Sequence, residues 1–233
     1  MNTCSTSFNS KTLSESQRDI LDMIATDRHL DEILCAICQM LDAQSPEIFS
    51  SILLADAEGK RLLNGAAPGL PIEYSQAIHG MAIGPQEGTC GTAAFRRELV
   101  VTEYIALDPS WERFRSLALG HNLHSCWSMP LLSHQGRVLG TFAFYQNRTH
   151  KPDEAQIQRL GCAAQLAAIA IRRECDGRSL EESEQRFRSL FTYNPNPVFA
   201  LDLAGRIQNA NPASLKLKPY TTSDLIGHHF VNL

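Results

Sequence analysis

A chain of 233 residues has room for one full domain and part of a second, at roughly 100–200 residues per domain. Its hydrophobic content of 43% is ordinary for a globular protein, and a net charge of −4 offers no basic footprint for nucleic acid. No apolar run approaches the roughly 18–20 residues needed to cross a bilayer, and seven cysteines, an odd count, fit reduced thiols in the cytoplasm better than a disulfide framework.

In chain order, residues 1–13 are rich in Ser, Thr and Asn, with neither a basic start nor an apolar core. They predict a short flexible lead and no signal peptide. Residues 14–26 and 29–43 carry helical periodicity, the second with an apolar stripe of Leu30, Ile33, Leu34, Ile37 and Leu41. Asp27 is the expected N-cap of that second helix, and Ser45-Pro46 the expected stop. Residues 48–55 and 61–65 flank Asp56-Ala57-Glu58-Gly59-Lys60, which predicts a hairpin.

Gly69-Leu70-Pro71 leads into a short helix over 72–78. Gly88-Thr89-Cys90-Gly91 opens an Ala-rich helix, Leu99-Val100-Val101 reads as a strand, and Asp108-Pro109 precedes an aromatic helix. Residues 125–133 and 137–145 form a second predicted hairpin around Gln135-Gly136, and Pro152-Asp153 opens a long helix that runs at least to residue 173. This order implies an α+β fold: a central antiparallel sheet, helices packed on one face, and irregular segments over the other.

The block from Glu87 to Tyr145 resembles the second half of a GAF domain, and the resemblance covers roughly Arg18 to Arg173. It implies a sensory module that binds a small ligand or a second protomer and passes the result along a helix. The ligand and any cofactor stay unidentified. The resemblance places a candidate pocket between the sheet and the cover formed by residues 102–124. Its candidate lining is Cys90, Thr92, Tyr104, Trp111, Phe114, His121, His124, Cys126, Trp127 and Ser128.

Several of these residues carry two readings. Cys90 at a helix start is either a thiol disposed to ionise or a small apolar lining residue. Alternation sends Cys126 and Ser128 to one face of their strand and Trp127 and Met129 to the other. Trp127 then either packs under a helix or walls the pocket. Trp111 and Phe114 are lid or core residues in preference to a stacking platform, and His121 and His124 are loop histidines in preference to metal ligands. Cys35-Ala36-Ile37-Cys38 is a lone C-x-x-C within a helical pattern and reads as structural.

Free methionine-sulfoxide reductase, an enzyme on the GAF fold, has a Gly-x-Cys-Gly segment that Gly88-Thr89-Cys90-Gly91 resembles. Its other cysteines do not carry over: Cys126 lies only four residues before Pro130, closer than the catalytic cysteine of that family lies to its matching proline. No nucleophile–base motif, metal-ligand spacing, or cyclase, phosphodiesterase or kinase signature is present, so no catalytic residue is assigned.

In the long helix, Leu160, Ala164, Ala167 and Ile171 form a narrow small-residue seam, which either pairs with a second copy or packs the helix on its own sheet. Gly177 is the expected break or stutter before a second apolar set in a shifted phase, Leu180, Phe187, Leu190 and Phe191. The remaining residues resemble the opening half of a PAS domain. Residues 198–201 and those from Gly205 onward read as strands, Asn209-Ala210-Asn211-Pro212-Ala213 resembles the Asn-x-Ala step of that family, and Asp224-Leu225-Ile226-Gly227 its later turn.

The expected organisation is a flexible lead (1–13), a GAF domain (14–173), a linker helix (174–187) and a truncated PAS-like α/β segment (188–233). The two resemblances imply a homodimeric cytoplasmic input region of a bacterial signalling protein whose output domain, a cyclic-di-GMP cyclase or phosphodiesterase or a histidine kinase, lies outside this chain. A thiol redox sensor centred on Cys90 and a ligand-free dimerisation module are the alternatives.

Overall fold

The computed structural model describes residues 13–26, 28–44, 47–216 and 225–232. The chain divides into two units, Met1–Glu174 and Cys175–Leu233. The first is built on six antiparallel strands: β1 (Ile48–Ala55), β2 (Arg61–Ala66), β3 (Met81–Ala82), β4 (Val100–Thr102), β5 (Ser125–Leu132) and β6 (Val138–Gln146). Their order across the sheet is β3-β2-β1-β6-β5-β4, so both predicted hairpins form and meet along β1 and β6. That seam is tight at Gly140, where a Cβ would lie 2.1 Å from the Leu53 carbonyl oxygen. Only glycine allows this approach.

Alternation assigns the two faces of the sheet. On one, Trp127 sets its ring edge-on to Phe144 at 5.9 Å, and Met129 lies under Gly161. Helices α1 (Leu13–Ala25), α2 (Leu30–Asp42) and the first half of α6 (Glu154–Thr192) cover this face. The predicted stripe of α2 is its buried side, with Ile33, Leu34, Ile37 and Leu41 all under 5% exposed. The N-cap position of α2 is held by His29, which makes no side-chain cap bond. Asp27 and the Ser45-Pro46 stop lie outside the described residues.

The opposite face is more helical than expected. It carries α3 (Ile72–Ile78), α4 (Gly88–Arg96) and α5 (Arg115–Gly120), joined by loops and by β4. The single aromatic helix expected after Asp108 is instead a 3-10 turn, Pro109–Trp111, followed by α5. Asp108 caps that turn, accepting from the Ser110 amide at 2.9 Å. Pro109 cannot donate a helical bond, which suits the first position of the turn.

Helix α6 starts with a reciprocal cap. Asp153 accepts from the Gln156 amide at 2.7 Å, and Gln156 accepts from the Asp153 amide at 2.9 Å. Its first half is pinned to α1, where the Arg173 guanidinium donates to the Ile24 carbonyl. The helix runs unbroken through Gly177 to Thr192, past the predicted linker end at 187. One glycine costs a helix only about 1 kcal/mol, which the remaining bonds of a 39-residue helix absorb. The seam of Leu160, Ala164, Ala167 and Ile171 is buried within its own domain at 5% exposure or less, so it is not a face left open for a second copy.

In the second unit, β7 (Phe199–Leu201) pairs with β8 (Ile207–Ala210), where strands were expected. Asn211, 1% exposed, ties its approach segments together. Its side-chain oxygen accepts from the Val198 amide at 2.9 Å and its amide donates to the carbonyls of Asn194 and Asn196. Asp224, the start of the expected later turn, lies outside the described residues.

Candidate functional site

The space between the sheet and its α3–α4–α5 cover holds six of the ten predicted pocket residues, Cys90, Thr92, Trp111, Phe114, Cys126 and Ser128, all of them buried. Cys90, Trp111, Phe114 and Cys126 belong to one buried cluster with Tyr74, Tyr145, Ile105 and Leu123. Ser128 lies in the same region, 0% exposed, bonded to the Phe142 carbonyl at 3.4 Å. Thr92 is buried on α4 and donates to the Pro85 carbonyl.

The other candidates stand apart. Trp127 is on the opposite face of the sheet, fully buried and edge-on to Phe144. Tyr104 is 52% exposed. His124 is half-buried and pairs with the exposed Asn122. His121 reaches the cluster only at its rim, edge-on to Tyr74 at 5.9 Å. Among the described residues no group of His, Cys, Asp and Glu is arranged to hold a metal ion.

A polar chain runs through this core. Trp111 Nε1 donates to Thr89 Oγ1 at 2.9 Å, Thr89 Oγ1 donates to Thr102 Oγ1 at 2.9 Å, and Thr102 Oγ1 donates to Asp108 Oδ2 at 2.9 Å. The other carboxylate oxygen of Asp108 accepts from the amide and hydroxyl of Ser110. The links through Thr89 are buried and those at Asp108 partly buried, and the chain fixes α4, β4 and the 3-10 turn to each other.

Beside it, the Cys90 thiol sits 3.6 Å from the Tyr145 hydroxyl and interacts with Cys126. The side-chain hydrogen bond from Cys126 and others from Ser128 and Tyr145 hold Cys90 below the ordinary thiol value despite its burial. Burial pushes Cys126 and Tyr145 up. Elsewhere Cys38 donates to the Ala66 carbonyl at 3.7 Å from within the core.

One open space lies next to this core. A cleft of about 280 Å³ runs between β1, β2 and α3, bordered by Ser51, Leu53, Asn64, Leu70, Ser75 and Ile78. The hydroxyls of Ser51 and Ser75 are buried without a hydrogen-bond partner. None of the ten predicted pocket residues borders it. Sequence reading missed this cleft because its walls come from β1, β2 and α3, whose short serine- and alanine-containing stretches carry no motif.

A GAF domain model matches residues 9–172 of the chain. The chain belongs to the GAF domain family. This GAF domain is similar to the methyl sulfide methyltransferase-associated sensor of Methanosarcina acetivorans, at 38% identity over 76% of the chain, and it spans 18% of that relative's length. Its fold is that of the GAF domain of a phosphoenolpyruvate-protein phosphotransferase from Coxiella burnetii, with TM-score 0.57, 21% identity, and coverage of 75% of this chain and 99% of that one. Free methionine-R-sulfoxide reductase from Neisseria meningitidis has the same fold, with TM-score 0.57, 20% identity, and coverage of 74% and 96%. Family and sensor-like relative together support a sensory, regulatory role. Among the described residues no helix is long and apolar enough to cross a membrane.

Proposed function

We propose that this GAF domain is the input module of a signal-transduction protein, taking a small neutral ligand into the cleft between β1, β2 and α3. The observation that carries the reading is the pair of partnerless buried hydroxyls, Ser51 and Ser75, in a concave space that is otherwise largely apolar. A buried hydroxyl without a partner costs roughly 1–3 kcal/mol, and a ligand with matching donors or acceptors recovers it. No ionisable side chain borders the cleft, which favours an uncharged molecule. Binding would fix α3 against the sheet, and α6, which leaves the same sheet directly after β6, would carry the bias onward.

In this reading the residues after 187 form the opening of a PAS-like module. The output domain is a cyclic-di-GMP cyclase or phosphodiesterase or a histidine kinase, and the module acts as a cytoplasmic homodimer without catalysis of its own.

Native mass spectrometry of the chain, purified without added ligand and compared with its denatured mass, tests the ligand. The expected result is a non-covalent adduct that disappears in Ser75→Leu, which fills the cleft from α3, while the unfolding midpoint stays near that of the parent. A bare chain in both samples would sink the ligand reading and leave the assembly reading standing.

A further inference from the structure

Four contacts triangulate two cysteines that are 36 positions apart in sequence. Thr89, next to Cys90 on α4, bonds to Thr102 at 2.9 Å, and Thr102 sits opposite Cys126 in the β4–β5 ladder. Cys126 in turn sits opposite Tyr145 in the β5–β6 ladder, and the Tyr145 hydroxyl lies 3.6 Å from Cys90 Sγ. Both cysteines lie buried in the same core cluster inside this frame, and each influences the ionisation of the other. Sequence spacing hid the pair, since nothing short of the α4–β5 packing brings the two together.

We propose that Cys90 and Cys126 form a redox-active dithiol that hydrogen peroxide converts to a disulfide, tying the α4 cover to the β5 floor. Cys90 is the attacking sulfur. The Tyr145 hydroxyl lies 3.6 Å from it, Cys126 and Ser128 hold its thiol below the ordinary value, and it sits in the first turn of α4, where backbone amides favour a thiolate. Its sulfur attacks the peroxide, the O–O bond breaks, and hydroxide leaves and takes up a proton as water. Cys90 is then a sulfenic acid.

Cys126 Sγ attacks the Cys90 sulfur, the S–O bond breaks, and the departing hydroxide takes the Cys126 proton as a second water. Two thiols and one peroxide give one disulfide and two waters. The two electrons of the thiols end on the peroxide oxygens. Both sulfurs are buried, so oxidation waits on brief opening of the cover. The switch is distinct from methionine-sulfoxide reduction and does not depend on a ligand in the β1–β2–α3 cleft.

The test treats the reduced full chain with hydrogen peroxide, quenches in acid, and maps cysteines by alkylation in denaturant and tandem mass spectrometry. The expected product is a peptide linking Cys90 to Cys126, with two thiols lost per link and recovered with dithiothreitol. In Cys126→Ser, Cys90 stops at sulfenic or sulfinic acid. In Cys90→Ser, Cys126 stays a thiol. The exposed Cys162 serves as an internal gauge of peroxide access to surface thiols. Oxidation of Cys162 with Cys90 and Cys126 still alkylatable would overturn the proposal. So would a Cys90–Cys126 link that forms only in urea.

Discussion

Asp42 shows how a single side chain sets a pH dependence. It ends α2, accepts the Ser50 amide at 2.9 Å through one oxygen, and turns the other under Gly69, where a Cβ would lie 2.7 Å away. That second oxygen has no partner, and burial raises the carboxyl from 3.8 to about 7. Between these values the folded chain holds a proton that the unfolded chain has released. The contribution is therefore fully favourable below about pH 4 and is lost as pH rises through 7. Asp42→Asn removes the titration: its denaturant midpoint is expected to exceed that of the parent at pH 8 and to match it at pH 4. Parallel midpoint-versus-pH curves for the two proteins would refute this assignment.

Glycines on two elements make the contrast between legible and hidden features concrete. Gly140 on β6 faces the Leu53 carbonyl with no room for a methyl, whereas Gly177 on α6 has nothing within 4 Å of where a Cβ would stand. Gly140→Ala is therefore expected to cost about 1–3 kcal/mol by forcing β1 and β6 apart. Gly177→Ala is expected to gain about 0.5–1 kcal/mol through helix propensity. Urea midpoints of the two variants check both signs, and a neutral Gly140→Ala would mean that the sheet can shift. The sequence singled out Gly177 because a glycine inside a helical period is visible, and passed over Gly140 because close approach of another strand is a tertiary fact. For the same reason the strands, α3 and the start of α6 were legible from periodicity and turn chemistry. The burial of predicted pocket residues beside Tyr74 and Tyr145, the placing of Cys90 and Cys126 in one core cluster, and the cleft walled by Ser51 and Ser75 depend on which strands become neighbours. The one local clue was Asp108-Pro109-Ser110, a capping signature whose acidic residue also anchors the Thr102–Thr89–Trp111 chain.

For the whole molecule, burial of Leu160, Ala164, Ala167 and Ile171 moves the question of assembly to the other half of α6. There Leu180, Phe187 and Leu190 are each more than 60% exposed, at spacings of seven and three. Those are the a, a and d positions of a heptad, flanked by Arg178, Glu181, Glu182, Arg186 and Arg188. A long helix that is polar around most of its surface draws little stability from propensity alone, and a seam shared by two copies would supply the missing burial. If the protein dimerises through this stretch, Leu180→Glu combined with Phe187→Glu places charges in the seam, and light scattering should show twice the chain mass for the parent and the chain mass for the variant. Far-UV circular dichroism of the variant should lose helical signal from the second half of α6, while the unfolding of the sheet-containing unit, whose core lies elsewhere, keeps its midpoint. A double variant that scatters like the parent would place any dimer contact outside this helix.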